Sequence, residues 1–349
     1  MKISLCMIVK NEESNLDRCL KSIYKVVDEI IIVDTGSVDK TIDIAKKYTK
    51  KIYNFKWIND FSKARNYSLS KAKCDYILWL DADDYLTEEN ANKLLKLKHN
   101  AKNDVDFYFF LYDFNKNYAP FYRERLFKNS KDVKFKGKVH EVIKTFGVIK
   151  YCKITINQYD NDKPLTTRNL NIYESMNKKR LCTRDLYYYS RELFRHKKYN
   201  EAIIYLKRFL KRKDFYIEDF IDASIILSKA YFLKNDYNNT LKVLFNTFNY
   251  DIPRLNVLNE IANIYYLLNE FHKAIYYYKL SYNSISLFKN NGFINKDHLG
   301  YYQSISLCVC YFKINNYKKS YYYNELAYKY KKDTNLYLYN KKIIEDFLK

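Results

Sequence analysis

"DYILWLDADDYLTEE", residues 75–89, decides the fold. Tyr76, Ile77, Leu78, Trp79 and Leu80 run straight into Asp81, Asp83 and Asp84. A short apolar run of this kind belongs in a core, yet it stops at three carboxylates. Two further runs, "ISLCMIV" (3–9) and "EIIIVD" (29–34), are likewise followed by polar residues and then by amphipathic stretches. The alternation predicts helices near 13–25, 39–48 and 87–98, and with them an α/β domain. If the strands are parallel, their carboxyl ends share one edge, where open α/β sheets bind ligands. That edge gathers Lys10, Asn11 and Glu12, then Asp34, then Asp81, Asp83 and Asp84. A single acid can hold a turn or cap a helix, so Asp34, Asp83 and Asp84 each have a structural reading. Three acids together suit a hard divalent cation such as Mg²⁺ or Mn²⁺, which prefers carboxylate oxygens and keeps places for water and phosphate. No GxxxxGK loop is present to cradle phosphates in its stead.

Beyond residue 168 the pattern becomes wholly helical and repeats itself. Aligning "HKKYNEAIIYL", "KNDYNNTLKVL", "LNEFHKAIYYY" and "KINNYKKSYYY" on Tyr199, Tyr237, Phe271 and Tyr317 puts small residues nine positions earlier (Ser190, Ser228, Ala262, Cys308). Large residues stand six earlier (Leu193, Tyr231, Tyr265, Tyr311), and small ones three later (Ala202, Thr240, Ala274, Ser320). Small residues let paired helices approach and large ones fill the gaps between turns. The pattern resembles tetratricopeptide repeats, closed by a capping helix near 336–348. The domains expected are 1–165 and 166–349.

Composition narrows the function. The chain has 349 residues, 48% hydrophobic and 29% charged, which reads as globular. Its formal charge is +22, divided as +8 through residue 163 and +14 beyond. The excess is spread through helical sequence without a compact block or a nucleic-acid motif, so a solvated lysine surface is expected and a nucleic-acid partner is not. Attraction to an anionic membrane surface stays open. The opening apolar run meets Lys10-Asn11-Glu12-Glu13 where a cleavage site should be, and no later run could span a bilayer, so a cytoplasmic location is expected. Seven cysteines without a CxxC pair point to reduced, buried thiols.

Five segments, "ISLCMIVKNEE", "VDEIIIVDTGSVDKT", "WINDFSKARNYSL", "DYILWLDADD" and "RLFKNSKDVKFKGKVHE", stand in an order that resembles the family 2 glycosyltransferases of GT-A fold. With the helical repeats behind them, they look most like the subgroup that includes the bacteriocin peptide S-glycosyltransferases. The resemblance implies a Rossmann-like GT-A domain followed by an all-α repeat domain. It places a nucleotide base near Val9, Asn11, Glu12 and Asp34, and makes Asp81-Ala82-Asp83 a DxD motif, with Asp81 towards ribose and Asp83 on the metal. Arg65 is suited to a phosphate oxygen, since guanidinium binds such oxygens in bidentate fashion. Glu141 is the candidate general base, with Asp113 and Asp160 next in line, and His140 is a candidate metal ligand. Neighbouring strand residues face opposite ways, so His140 and Glu141 can share a site only if the chain bends there.

Related sequences often carry His-x-Gly-Tyr where this one has Gln158-Tyr159-Asp160-Asn161. Gln158 or Asp160 could then serve through oxygen, or activity could be reduced. The function expected is Mn²⁺- or Mg²⁺-dependent, inverting transfer from a nucleotide-sugar, UDP-linked, to a peptide or protein acceptor docked by the repeats. A lipid or polysaccharide acceptor, an interaction scaffold on a decayed transferase, and a homodimer remain as alternatives.

Overall fold

The structure, a computed structural model, describes residues 1–101, 104–114, 116–159, 165–287, 295–332 and 334–348. Asp160 and Asn161 lie outside the described residues. The chain forms two compact units, Met1–Met176 and Asn177–Lys349.

The first unit contains strands β1 (Ile3–Val9), β2 (Glu29–Asp34), β3 (Ile52–Asn54), β4 (Tyr76–Trp79), β5 (Asp84–Tyr85), β6 (Phe107–Asp113), β7 (Phe121–Lys128), β8 (Phe135–Lys136), β9 (Val142–Ile143) and β10 (Ile149–Gln158). Its helices are α1 (Leu16–Ile23), α2 (Thr41–Lys46), α3 (Phe61–Leu69), α4 (Glu88–Asn100) and α5 (Arg168–Glu174). Eight strands make one sheet in the order β3-β2-β1-β4-β7-β6-β10-β5. The strands β3, β2, β1 and β4 are parallel; the bounds of β1, β2 and β4 are close to those expected, while β3 has no counterpart among the expected strands. The sheet as a whole is mixed, which corrects the all-parallel expectation. β7 returns directly from β6 and pairs antiparallel with both β6 and β4, a connection too short for a helical crossover. β8 and β9 form a separate antiparallel pair.

Apolar side chains cover both faces of the central strands. Ile3, Leu5, Met7, Tyr76 and Leu78 are buried in one core with α1 and α4, while Cys6, Ile31, Val33, Ile77 and Trp79 join α3 and the β8–β9 pair in another. That is why β1, β2 and β4 lack polar alternation: they are buried on both sides. α5 follows the end of the sheet and stays with the first unit, burying Leu170, Ile172 and Tyr173.

Among the described residues, the second unit is four helix pairs, each joined by a short turn, and a final helix. The pairs are α6 (Thr183–Arg195) with α7 (Tyr199–Leu210), α8 (Ile217–Phe232) with α9 (Tyr237–Asn246), α10 (Leu255–Leu267) with α11 (Phe271–Asn283), and α12 (Tyr301–Lys313) with α13 (Tyr317–Tyr330); α14 (Thr334–Asp346) closes the array. Each of the four aligned aromatics is the first residue of a second helix. Two positions earlier, Lys197, Asn235, Asn269 and Asn315 all adopt positive φ, near +60°. This left-handed residue ends one helix and turns the chain into the next.

Every small residue of the alignment is buried: Ser190, Ala202, Thr240, Ala262, Ala274 and Ser320 are at 0% exposure, and Ser228 and Cys308 at 2%. The large positions answer across the pair: Tyr265 stacks on Tyr277 and Tyr311 on Tyr323, with ring centroids 5.5 Å apart in both. A further aromatic, five residues before each anchor, packs on that anchor in all four repeats: Phe194 on Tyr199, Phe232 on Tyr237, Tyr266 on Phe271 and Phe312 on Tyr317. The seven thiols are free. Four are buried as expected; Cys74 and Cys152 are half-buried, and Cys182 is exposed because it caps α6, accepting from the Asp185 amide at 3.4 Å.

The close approach at the small positions predicts the outcome of filling one. Ala274→Leu should lower stability by about 1–3 kcal/mol through overpacking, whereas Ile204→Ala, at a side chain 57% exposed, should change it by less than about 0.5 kcal/mol. Chemical denaturation followed by circular dichroism measures both.

Candidate active site

The site is built where β1, β2 and β4 end. After β1, Asn11 turns the chain with φ +52° and reaches across to the loop after β2. Its backbone N–H donates to Ser37 Oγ at 3.0 Å, and its side-chain oxygen accepts from the Val38 amide at 2.9 Å. Glu12 is tied to the same loop, its amide donating to Thr41 Oγ1 at 2.7 Å. Val9 is buried, and its carbonyl accepts from the Thr35 hydroxyl at 3.0 Å. Asp34, 8% exposed, accepts from the Gly36 amide at 3.2 Å and the Ser37 amide and hydroxyl at 3.1 and 2.6 Å. The turn carboxylate of the structural reading is therefore present, and it shapes the loop that Asn11 grips.

The three aspartates of the quoted stretch have three environments. Asp84 is at 1% exposure and pairs with Arg125 at 3.0 Å, both side chains fully buried. It also accepts from the Asp81 amide at 2.9 Å, so it locks the turn that carries the other two acids. Burial pushes Asp84 up to about 6 against the pull of Arg125, with Asp81 and Asp83 adding repulsion. Arg125 itself lies between two rings, with its guanidinium carbon 4.1 Å from the centroid of Trp79 and 4.4 Å from that of Tyr112.

Asp81 accepts from Arg65 Nη2 at 2.6 Å. Burial alone would raise its pKa, but Arg65, Arg125 and Arg123 outweigh burial and hold it well below the usual carboxylate range. Asp83, at the rim, accepts from Gln158 Nε2 at 3.1 Å, and its carbonyl accepts from the Tyr159 amide at 2.8 Å. Those contacts come with the pairing of β5 and β10, which sets Gln158 opposite Asp84. Ala82, between Asp81 and Asp83, is 5% exposed and belongs to the core beside α1 and α4.

Arg65 joins the two halves of the site. It sits on α3, whose start is capped by Asp60 and whose Asn66 exchanges two hydrogen bonds with the backbone of Phe135 on β8, at 2.9 and 2.8 Å. The Phe61 amide also donates to the Lys138 carbonyl at 2.8 Å. These bonds bring the β8–β9 turn against α3, and Arg65 Nε reaches Glu141 Oε1 at 2.5 Å. Its guanidinium carbon lies 4.7 Å from the centroid of the Trp79 ring. Burial disfavours the charged arginine, but Asp81 and Glu141 more than offset it and raise its pKa further.

The bend that would let both His140 and Glu141 serve is present. Residues 137–141 are not extended strand; Gly137 has φ +102° and His140 φ +51°. The structure thus brings Arg65, Asp81 and Glu141 together, and Asp83 with Gln158. Asp113 ends β6 opposite Asn157. Among the described residues, no three His, Cys, Asp or Glu side chains are grouped so as to hold a metal by themselves. The donors at the rim are oxygens: Asp83, the carboxamide of Gln158 once turned about its last bond, and the outer oxygen of Asp81. Such a set fits a hard divalent cation that takes its other ligands from phosphate and water.

Sequence reading assigns Arg125 and Asn66 no role at the site and makes Trp79 legible only as a core residue. The alternation in "FYRERLFK" was the available signal, since an arginine on the inward face of a core strand demands a buried acid.

The family model described as Glycosyl transferase family 2 matches residues 4–162, the part of the chain that carries the sheet. A TPR repeat-containing protein of Synechococcus elongatus is 38% identical over 143 residues, 41% of this chain and 35% of that one. The SPbeta prophage-derived glycosyltransferase SunS of Bacillus subtilis is 32% identical over 268 residues, 67% of this chain and 60% of that one. The chain thus spans between about a third and three fifths of the length of these relatives. Among solved structures, glucosyl-3-phosphoglycerate synthase of Mycobacterium tuberculosis in complex with Mn2+ and uridine-diphosphate-glucose aligns with 32% of this chain and 43% of that one, at 20% identity and a TM-score of 0.28. Overlap of that size carries no argument about function.

The Asp84–Arg125 pair gives a stability prediction. Asp84→Ala strands a buried arginine and should cost about 3–5 kcal/mol, and Asp84→Ala combined with Arg125→Met should recover much of that loss. Urea denaturation of the two single variants and the double variant completes the cycle.

Proposed function

We propose that this protein is an inverting, metal-dependent glycosyltransferase that moves a sugar from a UDP-linked donor to a peptide or protein acceptor. The observation that carries the reading is the Arg65 fork, which holds Asp81 and Glu141 on one guanidinium at the carboxyl ends of the parallel strands. Val9, Asn11, Glu12 and Asp34 form the pocket for the nucleotide base, with Asp81 and Ala82 beside the ribose. Nε and Nη2 of Arg65 are engaged by carboxylates, so Nη1 is the part left for a phosphate oxygen.

Glu141 acts as general base. The acceptor nucleophile forms its bond to the anomeric carbon as the bond from that carbon to the diphosphate oxygen breaks. Its proton passes to the Glu141 carboxylate, and the electron pair leaves with the diphosphate. One carboxylate suffices for a single inversion. Asp83 and Gln158 would hold a divalent cation, with His140 as a further donor. When bound, that cation offsets the negative charge that grows on the departing diphosphate. The likeness to a glycosyltransferase of Bacillus subtilis supports the transfer reading. The +14 charge of the helical unit favours one alternative, the same chemistry on an anionic lipid or polysaccharide. No helix is long and apolar enough to cross a membrane among the described residues.

Two measurements test the proposal. Calorimetric titration of UDP should show binding with Mn²⁺ or Mg²⁺ and a marked loss with chelator; equal affinity in both removes the metal role. Glu141→Gln keeps an oxygen for Arg65 but cannot take a proton. It should retain UDP-sugar binding while transfer, or slow donor hydrolysis, falls by about 10²–10⁴-fold. Near-normal turnover would move the base to another residue.

A further inference from the structure

The helical unit contains a cavity of about 390 Å³ that lies wholly between first helices of successive repeats. Its walls come from α6, α8 and α10. Phe194, Phe232 and Tyr266, which occupy the same position in three repeats, line it together with Leu233, Ile264 and Leu267. Leu233 and Leu267 are each 55% exposed at the mouth, so the apolar lining continues out to the surface. At the polar end stand Lys229 and Glu260, paired at 2.8 Å, and Asn263.

Asn263 is held in one orientation. Its side-chain oxygen accepts from the hydroxyls of both Tyr278 and Tyr302, the latter at 2.7 Å. With the oxygen doubly used, the Nδ2 amide is the group left to point at a ligand. An apolar trough with one preset N–H donor matches an extended peptide: a side chain enters the trough and a backbone carbonyl accepts from Asn263. The surroundings set the rest of the chemistry. The unit Asn177–Lys349 carries 30 Lys and Arg against 16 Asp and Glu, so an acidic chain gains attraction wherever it leaves the trough, and a basic one is repelled.

We propose that this cavity is a docking site for an acidic peptide segment bearing a bulky apolar residue, and that the acceptor carries such a segment. The inference rests on the peptide-acceptor reading of the preceding section, and names what the repeats select. The site recognises the segment and takes no part in the chemistry. Selection by one apolar anchor with acidic flanks would let residues elsewhere in the acceptor vary.

The test uses the full chain immobilised against a phage-displayed random 12-residue peptide library, with the selected sequences remade as fluorescein conjugates for anisotropy. Selected peptides should carry Phe, Leu, Ile, Met or Trp flanked by Asp or Glu. The double variant Leu233→Asp, Leu267→Asp should bind them at least about tenfold more weakly, with an unchanged melting temperature because both side chains are exposed. Replacing the apolar residue of the peptide by Ala should have a similar effect. Selection of peptides without that signature, equal binding to the double variant, or no selected sequence at all would overturn the proposal. So would concentration-dependent self-association of the wild type that the double variant abolishes, since the occupant would then be a second copy. UDP-sugar hydrolysis by the wild type is read separately: its absence counts against the transferase reading, whereas its presence with a failed peptide result counts against the docking site alone.

Discussion

A single buried guanidinium holds together the sheet edge where the parallel strands end. Arg65 is 8% exposed, and an arginine removed from water needs its charge met on more than one side. Asp81 meets it from the end of β4, Glu141 from the β8–β9 turn, and the Trp79 ring from below. Neither carboxylate is placed by its own strand alone. Asp81 follows a strand that ends at Trp79, and Glu141 sits in a bend with no regular backbone pairing. The arginine fixes both, and the side chain of Asn66 fixes the arginine's helix to β8. Loss of that one side chain would therefore unfasten two elements that lie 60 residues apart in sequence.

The quoted stretch carries three acids because three separate demands meet there. Asp84 neutralises an arginine in the core and pins the turn through the Asp81 amide. Asp81 faces Arg65, and Asp83 faces Gln158 at the rim. Trp79 serves both arginine systems, since Arg65, Arg123 and Arg125 all lie over it, and its own indole N–H donates to the Glu124 carbonyl at 2.7 Å. The negative charge at the strand end is thus balanced by a layer of arginines within and beside the core.

The parallel half of the sheet was legible because β1, β2 and β4 are buried on both faces and read as unbroken apolar runs. β7 was not. "FYRERLFK" mixes charge with aromatics, and an arginine that is satisfied by a distant acid looks like a surface residue until the acid is located. The repeats were legible from their small residues, which tolerate no substitution by size. The aromatic five places before each anchor was overlooked because it varies between Phe and Tyr and lies partly exposed. Gln158 was recognised as a departure from related sequences, and its contact with Asp83 shows where that departure is felt; the partner strand β5 is only two residues long, too short for any periodicity to reveal.

The turn between the helices of each pair rests on one left-handed residue. Three of the four are asparagines, which accept that conformation readily, while the first repeat uses Lys197. A lysine there forgoes the local side-chain bonding that eases asparagine into the left-handed region. In an array whose units contact only their neighbours, stability is a sum over links, and the weakest link sets where opening begins. The α6–α7 turn therefore carries a backbone cost, about 1 kcal/mol, that the three asparagine turns reduce. Amide exchange at that turn should accordingly run faster than at the three turns built on asparagine.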